Sequence, residues 1–378
     1  MTDLVQRSIE IILANQAASG AYVASPNFPT YHYCWLRDGS FIAYAVDRAG
    51  EHASARRFFE WVNRAICSHA EKVERIVQAL ANGKTLADSD FLHTRYTLEG
   101  EEDVNTGWGN FQIDGYGTWL WALAEHVAAH PDPDWLREIA PAVRTTVRYL
   151  CSVWRLPNYD CWEENPEYIH PYSLGAVYGG LRSVDRLAAA AGLDLGQEHA
   201  AKIADQIREF VAAFGVVDGK LVKHIRPGLP PADPEALAST GVDSSLIALG
   251  TPYGLLAPDD PILHETIGWI ERDLHRPDAG VYRYREDTYF GGGEWILLAA
   301  WLGWHYTRAG EMKKASELCS WIETQAGPAG NLAEQVSQHV LAPEYYPIWL
   351  ERWGPVATPL LWSHAMYLIL RNELTAEG

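Results

Sequence analysis

Nowhere in this chain of 378 residues does an apolar run reach the roughly 18 residues that a membrane-crossing helix needs. The opening stretch, MTDLVQRSIEIILANQ, interleaves charges with its apolar positions and lacks the layout of an export signal, so a soluble cytoplasmic protein is expected. Cysteine is scarce as well. Cys34, Cys67, Cys151, Cys161 and Cys319 are odd in number, scattered, and form no C-x-x-C pair, which argues against a disulfide framework and against a zinc or dithiol redox centre.

Basic residues are few, 30 against 49 acidic ones, and the net charge of −19 repels polyanions. Neither nucleic acid nor an acidic membrane is expected as a partner. No Gly-rich phosphate loop follows a strand pattern, so a nucleotide-binding fold is not expected. The 14 histidines are read as offering no H-x-x-x-H pair with acidic support, and neither a metal nor an organic cofactor is expected. No Pro- or Ser-rich linker divides the chain, so residues 1–378 are read as one domain. Nothing in the composition fixes an oligomeric state.

What the chain does have is an apolar fraction large enough to bury a core without a staple, and an unusual set of aromatics. It carries 16 Trp and 19 Tyr against only 9 Phe. Indole and phenol rings join a flat apolar face to a polar tip, which suits the CH faces and hydroxyls of a sugar ring. Core packing in a large helical protein would use the same residues, so composition leaves both readings open.

Helical periodicity recurs from end to end, in about twelve segments separated by Gly, Pro, Asn and Asp clusters. The expected helices cover 3–16, 38–48, 51–81, 115–130, 133–154, 171–191, 197–214, 244–249, 261–275, 293–308, 311–325 and 358–374. Some are apolar all round, such as Trp119-Leu120-Trp121-Ala122-Leu123-Ala124, and others are two-faced, such as 197–214. That mixture predicts an all-α protein of two concentric rings, with buried inner helices and half-exposed outer ones. One β-hairpin is expected, at Val216-Val217-Asp218-Gly219-Lys220-Leu221-Val222, where Asp-Gly supplies a tight turn.

Five clusters between the helices join aromatic to charged side chains. They are Tyr31-His32-Tyr33-Cys34-Trp35-Leu36-Arg37-Asp38, then Gly107-Trp108-Gly109-Asn110-Phe111-Gln112-Ile113-Asp114-Gly115, then Tyr159-Asp160-Cys161-Trp162-Glu163-Glu164-Asn165, then Arg283-Tyr284-Arg285-Glu286-Asp287-Thr288-Tyr289, and lastly Ala333-Glu334-Gln335 with Leu361-Trp362-Ser363-His364-Ala365 beyond it. Glycoside hydrolysis needs two carboxyl groups flanking the scissile bond, one protonated and one ionised. In Trp162-Glu163-Glu164, apolar packing and a neighbouring negative charge would both raise the Glu163 carboxyl toward the protonated state. Glu334, without charged neighbours, is then the candidate base. Read singly, each cluster is equally a helix cap or a solvated turn.

Taken in order, these motifs resemble the glucoamylase-type glycosidases, glycoside hydrolase family 15, from Tyr31 to Ala365. The resemblance implies an (α/α)6 barrel with its active site at a loop-lined mouth. It implies that Glu163 is the general acid, Glu334 the general base, and Glu164 a carboxylate on the leaving side, with Asp160 in the same loop. Arg37 and Asp38 would bind the terminal glucose with Tyr31 nearby, Trp108 would stack at the mouth, and Arg283, Trp162 and Trp362 would complete the pocket. Hydrolysis would invert the anomeric centre, with the two glutamates roughly 6.5 to 9.5 Å apart. The substrate would be a small oligosaccharide.

Three departures qualify the likeness. The chain carries neither the β-sandwich nor the starch-binding domain that flank the barrel in some relatives, which favours a short soluble substrate such as an α-1,6 disaccharide. The segment from Gln335 to Pro355, with Tyr345, Tyr346, Trp349 and Trp353, is longer than usual and either roofs the site or plugs a gap below the rim. Arg285 stands where proline is frequent, and could pair with Glu286 or Asp287 or reach the leaving sugar. An α-1,4-glucan hydrolase, a trehalase, a phosphorylase on the same barrel, or a sugar-binding protein without catalysis are the rival readings.

Overall fold

A computed structural model describes residues 3–103, 107–228 and 241–376. In chain order the first half holds α1 (Leu4–Ala14), α2 (Leu36–Arg48), α3 (His52–Ser68), α4 (Ala70–Ala81), α5 (Asp114–Ala129), α6 (Pro133–Val153) and α7 (Pro171–Ala191). The second half holds α8 (Gln197–Phe214), α9 (Pro261–Asp273), α10 (Ile296–Arg308), α11 (Met312–Gln325), α12 (Tyr346–Trp353) and α13 (Leu361–Ala376).

Contacts close these elements into two rings. The inner ring runs α2, α5, α7, a 3-10 segment at Ser244–Leu249, α10 and α13, and α13 returns to α2. Around it lie α1, α3, α6, α8, α9 and α11, each packed on an inner neighbour. The sequence explains the division. In α10 every residue from Ile296 to Thr307 is buried, and in α2 every residue from Leu36 to Asp47, so neither has a face to offer solvent. In α8 only Ala200, Ile203, Ala204, Ile207 and Val211 are buried, one stripe at helical spacing. The expected (α/α)6 barrel is the architecture observed. None of the helices among the described residues is long and apolar enough to cross a membrane.

Local chemistry sets the helix ends. Asp132 and Asp260 accept from the backbone N–H of Trp135 and Ile262 at the starts of α6 and α9, each followed by proline at the first helical position. Gly192 ends α7 in the left-handed conformation, φ 64°.

Four expectations need revision. The segment 51–81 is two helices, because the Ser68 hydroxyl and the His69 ring both bond to the Ala65 carbonyl, at 2.8 and 2.7 Å, and compete with the helical ladder there. The segment 244–249 is a 3-10 turn, capped by Asp243 and too short to complete α-helical bonding before Pro252. The segment holding Tyr346 and Trp349 contains an additional helix, α12.

The fourth revision concerns strands. Besides the expected hairpin there are two ladders of two residues per strand. β1 (Cys34–Trp35) pairs with β2 (Arg95–Tyr96), the hairpin joins β3 (Val216–Val217) to β4 (Lys220–Leu221), and β5 (Glu294–Trp295) pairs with β6 (Gln335–Val336). Each of the two unforeseen ladders leads straight into an inner helix, β1 into α2 and β5 into α10.

The closest approach in the ring is backbone on backbone. A Cβ on Gly117 of α5 would lie 2.3 Å from the Ala176 carbonyl oxygen of α7, and one on Gly180 would lie 2.4 Å from the Gly117 oxygen. Gly117→Ala is therefore expected to push α5 from α7 and lower stability by about 1–3 kcal/mol, read as a fall in Tm. An unchanged Tm would show that the helices separate freely.

Candidate active site

The loops that enter α2, α5, α7, α10 and α13 at their N-terminal ends contribute to one cavity of about 430 Å³. Trp35 to Asp38 open α2, the Glu163 loop precedes α7, Arg283 and Trp295 precede α10, and Glu334 and Trp362 flank the start of α13. All ten residues singled out from the sequence, Tyr31, Arg37, Asp38, Trp108, Trp162, Glu163, Glu164, Arg283, Glu334 and Trp362, line this cavity. Helix N-termini carry partial positive charge, so the five that face this space favour the acidic groups gathered there.

Asp160 organises the loop that carries the candidate acid and does not line the cavity. Its buried carboxylate accepts from the backbone N–H of Trp162 and Glu164, both at 2.9 Å. Between them Glu163 is forced to φ 66°, a left-handed conformation that favours glycine. The Glu163 side chain is then gripped by two indoles: Trp35 Nε1 donates to Oε1, and Trp108 Nε1 donates to Oε2 at 2.5 Å. Arg95 lies 4.0 Å from the Trp108 ring centroid and 4.0 Å from that of Tyr33, and braces this wall.

Burial raises the Glu163 carboxyl above its ordinary range, while the charges of Arg37 and Arg95 and the two indole donors pull it back. The neighbouring Glu164 is not the lever that the sequence suggested. Its charge is taken up by the Tyr284 hydroxyl at 2.5 Å, Arg283 at 3.5 Å and Lys223 at 3.9 Å. The Trp162 N–H likewise turns away, to Asp243 at 2.9 Å.

Glu334 sits opposite on a different loop, with the Tyr31 hydroxyl donating to its Oε1 at 3.1 Å. Its Oε2 is buried without a hydrogen-bond partner, as is Trp362 Nε1. An unpaired buried polar atom costs about 1–3 kcal/mol, so both invite a hydroxyl or a water. Glu334 lines the cavity while being only 3% exposed. Burial pushes it up to about 8, against the pull of the Tyr31 hydroxyl and of Arg283.

At the inner end, Arg37 lies 3.2 Å from both Asp38 and Asp114 and 5.1 Å from the Trp362 ring centroid. Burial and the nearby Asp114 raise Asp38 to about 6 despite the guanidinium beside it. Arg283 is fixed by two bonds to Asp287, at 2.7 and 2.5 Å. Arg285 does none of what its position suggested; it is exposed and 3.6 Å from Asp273.

Sequence reading passed over Trp35, Arg95, Lys223, Tyr284 and Tyr289 as site residues. Trp35, Tyr284 and Tyr289 stand inside motifs already picked out, whereas Arg95 and Lys223 stand outside them and give no local signal.

Glu334 holds its proton to higher pH in the folded chain than in the unfolded one. Its contribution is thus complete below the ordinary value of 4.5 and is lost as pH rises toward about 8. Glu334→Gln is expected to stabilise the protein at pH 8 by at least about 1 kcal/mol more than at pH 5. Equal Tm shifts at both pH values would contradict the raised carboxyl.

Comparison with known proteins gives a consistent result. The profile described as glycosyl hydrolases family 15 matches residues 1–346. An isomaltose glucohydrolase of Kribbella flavida is 41% identical over 373 residues, 98% of this chain and 92% of the relative. A trehalase of Mycolicibacterium smegmatis is 26% identical over 81% of this chain and 45% of its own. Among solved structures, a wild-type glycosidase superposes with a TM-score of 0.91 at 41% identity, covering 98% of this chain and 96% of that one. A bacterial glucoamylase complexed with acarbose shares the fold at a TM-score of 0.72 and 21% identity, covering 98% and 55%. With a profile match over most of its length and a relative this similar from end to end, the chain belongs to glycosyl hydrolases family 15.

Proposed function

We propose that the chain, as one catalytic unit over residues 1–378, is an inverting, exo-acting α-glucosidase that removes the non-reducing glucose of short α-glucosides and releases β-glucose. Glu163 is the general acid and Glu334 the general base. The observation that carries this reading is that two carboxyl groups on separate loops share one cavity, whose inner end is lined by buried Arg37, Asp38 and Trp362. A cavity with a polar inner end accepts a chain end and not the middle of a polymer.

Burial favours the neutral form of both glutamates, and more so at Glu334. That order is the reverse of what the reaction needs, and the substrate corrects it. A glycosidic oxygen only accepts hydrogen bonds, so it pairs with a protonated Glu163. The attacking water donates, so it pairs with an ionised Glu334 at the oxygen left without a partner. A pair sharing one proton titrates as a unit. As the bond breaks, Glu163 gives its proton to the leaving oxygen while Glu334 takes one from water arriving on the opposite face.

The 41% identical isomaltose glucohydrolase supports an α-1,6 disaccharide as the preferred substrate. So does α12, whose Trp349, Arg352 and Trp353 line the outer part of the cavity and leave little room beyond a second sugar. Cys34, Cys67, Cys151, Cys161 and Cys319 are unbridged, which supports a reducing, cytoplasmic setting.

Incubation with isomaltose, maltose, panose and trehalose, with NMR detection of the anomer first released, is the direct test. Release of α-glucose would refute inversion, and inaction on isomaltose would sink the linkage preference. Glu163→Gln and Glu334→Gln are each expected to cut kcat by about 10² to 10⁴-fold with the fold intact. The pH profile of kcat/KM is expected to be bell-shaped, with its alkaline limb near pH 8 and its acidic limb above 4.5. Trp349→Ala and Trp353→Ala are expected to raise KM for isomaltose and to improve trisaccharides relative to disaccharides. A change in kcat alone would place α12 outside the substrate's path.

A further inference from the structure

At the opposite end of the barrel, where α2 and α5 finish, three imidazoles converge on one buried carboxylate. Asp47 Oδ1 lies 2.8 Å from His52 Nδ1 and 3.2 Å from His130 Nε2, and Asp47 Oδ2 lies 3.0 Å from His126 Nδ1. One ligand atom each from Asp47, His52 and His130 falls within 4.8 Å of the others. His52, His126 and His130 line a surface cavity of about 370 Å³, with Asp47 buried behind them.

These distances are those of hydrogen bonds, and they also bring the three ligand atoms within reach of one ion. A tetrahedral ion with bonds of about 2.0–2.1 Å holds its ligand atoms about 3.3 Å apart, so Asp47 and the two exposed histidines need only small shifts to receive one. The His52 and His130 ring centroids are 3.8 Å apart, and both rings reach the same oxygen of Asp47. His126 is buried and bonds the second carboxylate oxygen, the position from which an outer partner orients a ligating Asp.

The C-terminal ends of α2 and α5 meet the N-terminal ends of α3 and α6 here, so the local negative charge comes from the Asp47 carboxylate. Arg56, the one guanidinium lining this cavity, is paired with Asp132 at 2.9 Å and Glu60 at 3.3 Å.

We propose that Asp47, His52 and His130 bind a divalent transition ion of the zinc type, with a fourth position open to water and with His126 as a positioning residue. This overturns the expectation of no metal pair: His126-Val127-Ala128-Ala129-His130 has the H-x-x-x-H spacing, and its acidic support comes from a distant helix. The ion takes no part in glycoside hydrolysis. Asp38 opens α2 and Asp47 closes it, which sets the two about 14 Å apart along the helix axis. Its role is to clasp α2, α3 and α5 at the closed end of the barrel.

The test titrates tag-free, chelator-stripped full-length protein with Co²⁺ and Zn²⁺ alone. One equivalent of Co²⁺ is expected to give visible d–d bands of a four-coordinate N/O site, displaced by Zn²⁺, with a rise in Tm. His52→Gln and His130→Gln are each expected to abolish binding while keeping hydrolytic activity, which certifies their folding. His126→Gln is expected to weaken binding about 10–100-fold. No stoichiometric binding to the parent protein, or binding undiminished in both ligand variants, overturns the site. Anomalous scattering from a Zn²⁺-soaked crystal gives an independent reading: a peak between Asp47 and His130 supports the proposal, and its absence refutes it.

Discussion

Helices α2, α5, α7, α10 and α13 carry buried side chains around nearly their whole circumference, and a helix without a polar face has to be enclosed on every side. Enclosure by half-exposed helices produces the double ring, and alternation of inner and outer helices along the chain makes all inner ones run the same way. Parallel inner helices put their N-termini, and the loops entering them, at one end. The location of the cavity follows from that constraint before any catalytic residue is considered.

Within that frame, precision comes from a small number of polar pins. Asp160 bonds the backbone amides on either side of Glu163 and holds that residue in a conformation that a glutamate does not choose by itself. Asp287 fixes the Arg283 guanidinium, and the Tyr31 hydroxyl bonds both Glu334 and Tyr289. Other polar atoms nearby, Glu334 Oε2 among them, have no hydrogen-bond partner within the protein and are placed to take one from a sugar or a water. The ionisation of both glutamates is disfavoured by the same enclosure that excludes competing water.

Much of this was legible in the sequence because it rests on local patterns. Apolar-all-round segments marked the inner ring, and aromatic residues beside carboxylates marked the loops. What escaped depends on partners far apart in the chain. Ladders of two residues show no alternation to read, so β1 passed as part of a loop and β5 as the beginning of a helix. The shielding of Glu164 by Tyr284 and Lys223 joins three separate segments, and the Asp47 cluster joins residues 79 positions apart. In each case the side chain was visible and its charge environment was not.

The roof formed by α12 is anchored through a small apolar cluster of its own, in which Phe28, Phe290 and Ala357 receive Tyr346, Trp349 and Trp353 apart from the main core. Its outward side leaves Ile348 and Leu350 half exposed. A helix that rests on a separate, shallow cluster is uncoupled from the packing of the main core, so side chains on α12 can be exchanged to reshape one wall of the cavity without disturbing the inner ring.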